Sequence, residues 1–229
     1  QMSKILKGTA GTEIKLRVQR RGNEQPLEFA FAREEVKIDD VPYHDMVNDE
    51  IGYIKLNGFT TSASRELEDA FVEMRDSLGM KKLILDLRGN GGGLLDQAVD
   101  IVNFFVPRGQ KVVYTKGKVK EWDRDHIALN APLDEEMPIV VLINGGSASA
   151  SEIVSGSIQD LDRGVLVGQK SFGKGLVQQT KDLTYNSKLK ITVAKYYIPS
   201  GRCIQKLDYS NKDERGRAVE VPDSLIQTF

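Results

Sequence analysis

The stretch that decides the fold is VVLINGGSASASEIVSGSIQD, residues 140–160. Its first six residues predict a buried strand, because a short apolar run that stops at a turn is typical of a strand inside a sheet. Two glycines then turn the chain, and a helix is predicted from about Ser149 to Leu161. A buried strand that leads through a short turn into a helix is the repeating unit of an α/β fold.

The same unit recurs on both sides of this stretch, so that strands and helices alternate from residue 51 to residue 168. This alternation predicts an α/β fold with a mainly parallel sheet as its core and flanking helices. Besides the one in the opening stretch, the predicted strands are IGYIKLNGF (51–59), KLILDLR (82–88), GVLVG (164–168) and the late strand LKITVAKYYI (189–198), and the other helices run from 62 to 78 and from 94 to 105.

The first 35 residues have a different pattern. Apolar and polar residues alternate in TEIKLRVQ (12–19) and in LEFAF (27–31), and a turn composition separates the two runs. This predicts a β-hairpin with one buried face. The remainder, 36–229, is predicted to be the core, with a charged, irregular insertion near 115–137 that lies over it and a charged tail at 206–220 that is mobile or a linker.

The bulk composition excludes several classes of function. The chain has 229 residues with 32 basic and 33 acidic side chains, and this balance gives no support for nucleic-acid binding. No apolar run reaches the ~18 residues of a membrane span. The single cysteine, Cys203, allows no internal disulfide and leaves the compartment open. We predict no cofactor and no metal, and we expect the sequence to be a piece of a longer precursor.

A lysine between two glycines, Lys174 in SFGKGLVQ (171–178), fits three kinds of chemistry. A phosphate-binding loop would need Ser or Thr at the next position, where Gly175 stands. A serine–lysine pair within S-x-x-K would need Ser171 and Lys174 on one helical turn, and the glycines at 173 and 175 disfavour a helix there. The third possibility is a lysine that serves as the base for a distant serine.

The best place for that serine is the predicted helix start in the opening stretch. Backbone N–H groups at a helix amino terminus can stabilise an oxyanion, although serines there are also ordinary helix caps. The pattern leaves Ser147, Ser149 and Ser151 as equal candidates. Neither histidine, His44 nor His126, lies at the end of a predicted core strand, so lysine remains the preferred base.

Four blocks of the sequence together resemble one known family, the carboxyl-terminal processing or tail-specific proteases of peptidase family S41. These are serine peptidases with a Ser-Lys pair and a PDZ domain. The resemblance runs from about residue 8 to residue 205, and its blocks are DLRGNGGGLL (86–95), GSASASEI (146–153), SFGKGLVQ (171–178) and YYIPSGRCIQ (196–205).

The resemblance implies a role for individual residues. The nucleophile of the family falls on Ser149, its general base on Lys174, and a glutamine that orients the lysine on Gln178. Asp160 matches a position that some members have been said to use. On one helix, however, eleven residues separate it from Ser149 by about 16 Å, so we interpret it as structural. Phe172 and its apolar neighbours Leu176 and Val177 are expected to shield the lysine from water.

The glycines after the strand at 82–88 are implied to supply an oxyanion N–H. We assign it to Gly92, with Gly93 as the alternative, and pair it with the N–H of Ala150. The resemblance also implies a core of the ClpP/crotonase type, with residues 1–35 as the incomplete closing strands of a PDZ domain.

By the same resemblance, the expected function is a serine endopeptidase that cuts proteins near their carboxyl ends and recognises the free C-terminus through the PDZ module. The expected partners are protein or peptide substrates with a free C-terminus, and association with further copies of the chain is left as an open alternative. The expected location is the bacterial envelope, in the periplasm. The alternative is a protease-like protein that binds partners without cleaving them.

Overall fold

The computed structural model describes residues 6–35 and 38–221. The chain divides into two compact units, Gln1–Ile38 and Asp39–Phe229. Residues 1–5, 36–37 and 222–229, which belong to the ends of the two parts predicted from the sequence, lie outside the described residues.

The first unit contains a β-hairpin of β1 (Glu13–Val18) and β2 (Leu27–Ala32). Apolar residues face each other across the two antiparallel strands, as Ile14 with Phe31, Leu16 with Phe29 and Val18 with Leu27. The antiparallel hairpin is therefore as predicted, but its expected buried face is not. Ile14 is buried, whereas Phe29 and Phe31 on the same face are exposed, because a two-stranded hairpin has no second layer of its own to cover them.

Over its described residues, the second unit contains eleven strands and three α-helices. In chain order they are β3 (Tyr43–Met46), β4 (Ile51–Lys55), α1 (Ala63–Val72) with a π-helical turn (Glu73–Ser77), β5 (Lys82–Asp86), α2 (Leu95–Asn103), β6 (Lys111–Gly117), a 3-10 turn (Lys120–Trp122), β7 (Arg124–Ile127), β8 (Ile139–Ile143), α3 (Ala150–Asp160), β9 (Val165–Gly168), β10 (Leu176–Asp182), β11 (Lys188–Tyr197), β12 (Leu207–Lys212) and β13 (Ala218–Glu220).

The main sheet has five strands in the order β3-β4-β5-β8-β9. β4, β5, β8 and β9 are parallel to one another, and β3 is antiparallel to β4. Each strand–helix–strand connection moves one position in the same direction along the sheet. Right-handed crossovers then place all three helices on one face. In agreement with this, α2 contacts both α1 and α3.

The core lies between this sheet and its helices. Its largest fully buried side chains come from β4, β5, the three helices and the turn after α2, and they include Ile54, Leu67, Phe71, Leu85, Ile101, Phe105 and Ile153. Burial of an aliphatic or aromatic side chain of this size stabilises the fold by about 1.5–3 kcal/mol. The core therefore fixes the carboxyl ends of the parallel strands at one rigid edge.

A second sheet, in the order β10-β11-β6-β7, is antiparallel throughout. The mixed α/β fold is thus as predicted, but the expectation of a mainly parallel core holds only for the five-stranded sheet. β10 and β11 are joined by a loop of a few residues, which allows antiparallel pairing only. The expectation of an irregular insertion near 115–137 is partly wrong, because residues 115–117 end β6 and β7 follows. The charged segment from 207 to 220 contains the β12-β13 hairpin.

A buried carboxylate, Asp86, fixes the carboxyl end of β5. The Tyr53 hydroxyl donates to it at 2.6 Å, the Arg88 guanidinium at 2.7 Å, and the Lys55 ammonium lies 3.3 Å away. Burial by itself would raise the pKa of Asp86. The hydrogen bonds from Arg88 and Tyr53, with the charge of Lys55, outweigh burial and hold that pKa well below its usual range. Asp86 therefore stabilises the fold in its ionised form.

We expect Asp86→Asn to lower the free energy of unfolding by about 1.5–3 kcal/mol at pH 7, because hydrogen bonds to a charged group are lost. The depressed pKa makes this contribution complete above the ordinary aspartate pKa of about 3.9, and protonation removes it as the pH falls below that value. Urea unfolding between pH 3 and pH 7 measures the difference. The exposed Asp69→Asn is the control and should change little. A difference as large at pH 3 as at pH 7 would contradict the assignment.

Candidate active site

Two loops meet at the carboxyl ends of β5 and β8. The glycine loop, residues 89–93, follows β5, and the serine turn, residues 144–149, follows β8. Asn90 joins them, because its backbone carbonyl accepts hydrogen bonds from the Ala148 N–H at 3.0 Å and from the Ser151 hydroxyl at 2.9 Å. Parallel strands bring their carboxyl ends to one edge of the sheet, which is where ligands bind in open α/β folds.

The structure separates the three serines that the sequence left equal. Ser147 is fully buried, and its hydroxyl donates to the Leu87 carbonyl at 2.8 Å. Ser151 is also fully buried, with its hydroxyl on the Asn90 carbonyl. Ser149 is half-buried. Of the three serines, Ser149 is therefore the one that is not fully buried.

Ser149 occupies the N-cap position of α3 in an unusual backbone conformation, with φ 58° and ψ −112°. A non-glycine residue in this region carries strain of about 1–3 kcal/mol, and such residues cluster at functional sites. The sharp turn places Ser149 at the start of the helix, where the unpaired N–H groups of the first turn create positive potential.

Glu152, in the first turn of α3, connects the serine turn to the lysine segment, residues 171–175. It is almost fully buried. One carboxylate oxygen, Oε2, accepts the backbone N–H of Ser149 at 2.8 Å and that of Lys174 at 2.9 Å. The other, Oε1, accepts the Ser171 hydroxyl at 2.7 Å and the Gly173 N–H at 2.6 Å. The backbone nitrogens of Ser149 and Lys174, which are twenty-five positions apart in the sequence, therefore bind the same carboxylate oxygen and lie close together.

The segment around Lys174 is held from its other side by residues 205–206. The Gly175 N–H donates to the Gln205 side chain at 2.9 Å, and the Lys206 N–H donates to the Gly173 carbonyl at 3.0 Å. A Cβ on Gly175 would lie 2.4 Å from the Gln205 backbone nitrogen. The glycine at 175 is therefore required for this close approach.

The Lys174 side chain itself is exposed. The expected shielding by Phe172 is wrong for the described structure, because Phe172 is itself 58% exposed and Lys174 remains exposed beside it. Proximity in the sequence does not ensure that one side chain covers another. Lys174 and Gln178 line one cleft of about 740 Å³, together with Tyr209. Gln178 follows a register shift in β10, which breaks the flat strand that would separate the two side chains.

Asp160, at the other end of α3, binds the loop after β11. Its carboxylate accepts the Ser200 hydroxyl at 2.6 Å and the Arg202 guanidinium at 3.0 Å. Its side chain is almost fully buried. All of these contacts fasten the loop that leads to Gln205, which agrees with our interpretation of Asp160 as structural.

The glycine loop passes directly beside the serine turn. A Cβ on Gly92 would lie 2.5 Å from the Ala148 carbonyl oxygen and 2.8 Å from the Ala150 nitrogen, so only glycine fits there. The Gly92 N–H already donates to the Asn90 side chain at 2.9 Å. Among the described residues, the N–H groups of Gly93 and Ala150 have no hydrogen-bond acceptor. In this conformation Gly93 is therefore the better placed of the two predicted oxyanion donors.

The remaining candidates lie elsewhere. His44 contacts Glu73 at 3.2 Å, and burial lowers the pKa of His126 on β7. In the described part of the chain, no cluster of three or more His, Cys, Asp or Glu side chains could hold a metal ion. Over the same residues, no helix is long and apolar enough to span a membrane.

Sequence reasoning missed the residues that connect the site, namely Asn90, Glu152 and Gln205. A signal for Glu152 was available, because Ser149 and Glu152 have the S-x-x-E spacing of a capping box. The other two act through contacts with segments far away in the sequence, so no local pattern indicates them.

The model of peptidase family S41 matches residues 50–210 of the chain. A carboxy-terminal-processing protease of Bartonella bacilliformis is 42% identical over 203 residues, which is 87% of this chain and 46% of that protein. A carboxyl-terminal-processing protease of Synechocystis sp. is 35% identical over 205 residues, 88% of this chain and 47% of that protein. The chain therefore spans about half the length of these curated relatives.

A solved structure with the same fold is the photosystem II D1 C-terminal processing protease. It superposes with a TM-score of 0.66 at 28% sequence identity, over 94% of this chain and 56% of that one. The family match covers the glycine loop, the serine turn and the lysine segment together. On its sequence and on the fold that positions these three segments, the chain belongs to peptidase family S41.

Proposed function

We propose that the chain is the core of a serine endopeptidase in which Ser149 is the nucleophile and Lys174 the general base. One observation carries this proposal: a single carboxylate oxygen of Glu152 binds the backbone N–H groups of both residues. The fold thereby holds a half-buried serine next to a lysine that is far away in the sequence. A nucleophile beside a group able to take its proton is the arrangement that covalent catalysis requires.

The chemistry follows from these positions. The Ser149 hydroxyl attacks the scissile carbonyl while the Lys174 amine takes its proton. The tetrahedral intermediate collapses to an acyl-enzyme, and the lysine returns the proton to the departing amine. The same lysine then takes a proton from water as the water attacks the ester, and returns it to the departing Ser149 oxygen, so that serine and lysine are restored. Gln178, in the same cleft, orients the lysine without adding a charge.

The developing oxyanion would be stabilised by two backbone N–H groups, one from Ala150 at the amino terminus of α3 and one from the glycine loop. Gly93 offers its N–H, and Gly92 would do so only after releasing Asn90. Removal of one donor of this kind costs about 10²–10³ in kcat in a known serine protease. The unpaired N–H of Ala150 supports this part of the proposal.

The substrate class rests on the relatives. The printed names of two curated relatives describe carboxy-terminal processing, and we propose the same substrates for this protein, that is, proteins or peptides cut near a free C-terminus. The ladder of β1 and β2 supports an assignment as closing strands of a PDZ domain, which would bind a peptide by strand addition. The helices on one face of the main sheet support a core of the ClpP/crotonase type. We also propose a location in the bacterial envelope.

A second candidate function is binding without cleavage. The observation that favours it is the exposure of Lys174, because the apolar cover expected around a catalytic lysine is absent from the described structure. Labelling with a fluorophosphonate probe, which acylates activated serines, distinguishes the two functions. Labelling at Ser149 supports the peptidase, and its absence supports the binding protein.

We expect Ser149→Ala to abolish peptide cleavage and probe labelling while the thermal unfolding temperature stays within a few degrees of the wild-type value. Ser147→Ala and Ser151→Ala each remove a buried hydrogen bond worth about 1 kcal/mol, so they should destabilise the fold yet retain labelling. The measurement is labelling followed by mass spectrometry, with melting curves for each variant. A dead Ser147→Ala enzyme that still melts near the wild-type temperature would show that the nucleophile is misassigned.

Lys174→Arg should lower the rate of cleavage by about 10²–10⁴, the range for loss of a general base, because a guanidinium stays protonated in proteins. Gln178→Ala should lose less activity than Lys174→Ala, since it removes alignment and leaves the base. Steady-state kinetics on one peptide substrate measure both effects. Full activity in Lys174→Arg would overturn the mechanism.

A further inference from the structure

The Glu152 carboxylate is the junction between the two halves of the candidate catalytic pair, and its environment contains hydrogen-bond donors rather than cations. Both oxygens are occupied, Oε2 by the N–H groups of Ser149 and Lys174 and Oε1 by the Ser171 hydroxyl and the Gly173 N–H. An ionised carboxylate has about four acceptor sites, so four donors saturate it. The side chain is 3% exposed, which means that water does not compete for these sites.

The carboxylate binds Lys174 through its main chain. Within the described residues, no acidic group forms an ion pair with the Lys174 ammonium within 4.0 Å. A direct ion pair would favour the protonated amine and oppose its use as a base. Binding through the backbone N–H fixes the position of the residue and leaves the amine unpaired.

Four hydrogen bonds to one charged group form a rigid link, since each is about twice as strong as a bond between neutral partners. The link spans the start of α3 and the segment from Ser171 to Lys174, which belong to different parts of the fold. Reacting groups need to be held within a fraction of an ångström, and a misplacement of 1 Å costs about 10²-fold in rate.

We propose, on the basis of the proposed function, that Glu152 is a positioning residue of the peptidase. Its carboxylate fixes the distance between the serine turn and the lysine segment, and so the relative position of Ser149 and Lys174, without touching substrate. The proposal goes beyond the Ser-Lys pair and Gln178, because it assigns the alignment of the pair to a buried side chain in the first turn of α3.

The test compares Glu152→Ala with Glu152→Gln by the rate of fluorophosphonate labelling at Ser149 and by cleavage kinetics. Glu152→Ala removes all four bonds, and we expect the labelling rate and kcat to fall about 10²-fold with KM nearly unchanged. Glu152→Gln keeps an amide oxygen for the N–H groups of Ser149 and Lys174, and its NH₂ group can donate to the Ser171 hydroxyl, but the Gly173 N–H loses its acceptor. We therefore expect the labelling rate of Glu152→Gln to be at least tenfold higher than that of Glu152→Ala.

A double-mutant cycle separates positioning from general destabilisation. If Glu152 acts by aligning Ser149 with Lys174, Glu152→Ala should lower the labelling rate little in a Lys174→Ala background, because no alignment remains to be lost. Equal losses in the two backgrounds would overturn the proposal. Ser157→Ala is the matched control, since it removes a buried hydrogen bond of 2.8 Å to Val112 on the same helix, and it should label at the wild-type rate.

The outcomes of these experiments distinguish the proposed function from the positioning role of Glu152. Absence of labelling at Ser149 in the wild-type protein overturns the proposed function and the Glu152 proposal together. Normal labelling in both the wild-type protein and Glu152→Ala overturns only the Glu152 proposal. Should Glu152→Ala fail to fold, Glu152→Gln carries the test through the same cycle, and coupling to Lys174 in that variant supports the proposal while simple additivity refutes it.

Discussion

The hydrogen bonds of the buried Asn90 determine where the site can form. Its side-chain NH₂ donates to the Leu56 carbonyl just beyond β4, and its side-chain oxygen accepts the Gly92 N–H, both at 2.9 Å. Its backbone carbonyl accepts from Ala148 and Ser151 in the serine turn. A single fully buried residue thus joins three segments that are distant in the chain. Leaving a buried amide group without a hydrogen-bond partner would lower the stability of the fold by about 1–3 kcal/mol. These hydrogen bonds therefore hold the three segments together.

The site is built by two buried side chains that divide the work. Asn90 joins the glycine loop to the serine turn, and Glu152 joins the serine turn to the lysine segment. Each satisfies backbone groups of loops, which have no sheet or helix partner of their own. These loops are therefore held by hydrogen bonds from buried side chains, and no buried side-chain polar atom among the described residues lacks a partner.

The extent to which the sequence predicted the fold depended on the strength of local signals. The strands β5 and β8 are apolar runs between turns, and the helices follow with the 3.6-residue period, so their positions were predictable. β6 and β7 were not, because both strands contain charged residues, such as Lys116 and Arg124, and β7 is an edge strand of the antiparallel sheet. The sequence-local expectation that Phe172 covers Lys174 was wrong, since it took proximity in the chain for contact in space.

The site was predictable only in part for a related reason. Serine is equally suited to capping at 147, 149 and 151, and what separates them is a hydrogen bond to Leu87 or Asn90, about sixty positions earlier in the chain. Ser149 could therefore be chosen only through the resemblance to a family. Burial of a neighbouring hydroxyl is a tertiary property that no window of sequence contains.

The backbone of Ser149 has a consequence for how such a chain changes over generations. A residue at φ 58° and ψ −112° loses stability that glycine would restore, because glycine reaches this conformation without steric conflict. Proteins tend to trade stability for activity at sites of this kind. A lineage released from selection for chemistry would drift toward glycine here and melt at a higher temperature. Under the proposed function, a serine kept in this conformation marks a position where reactivity is selected over stability.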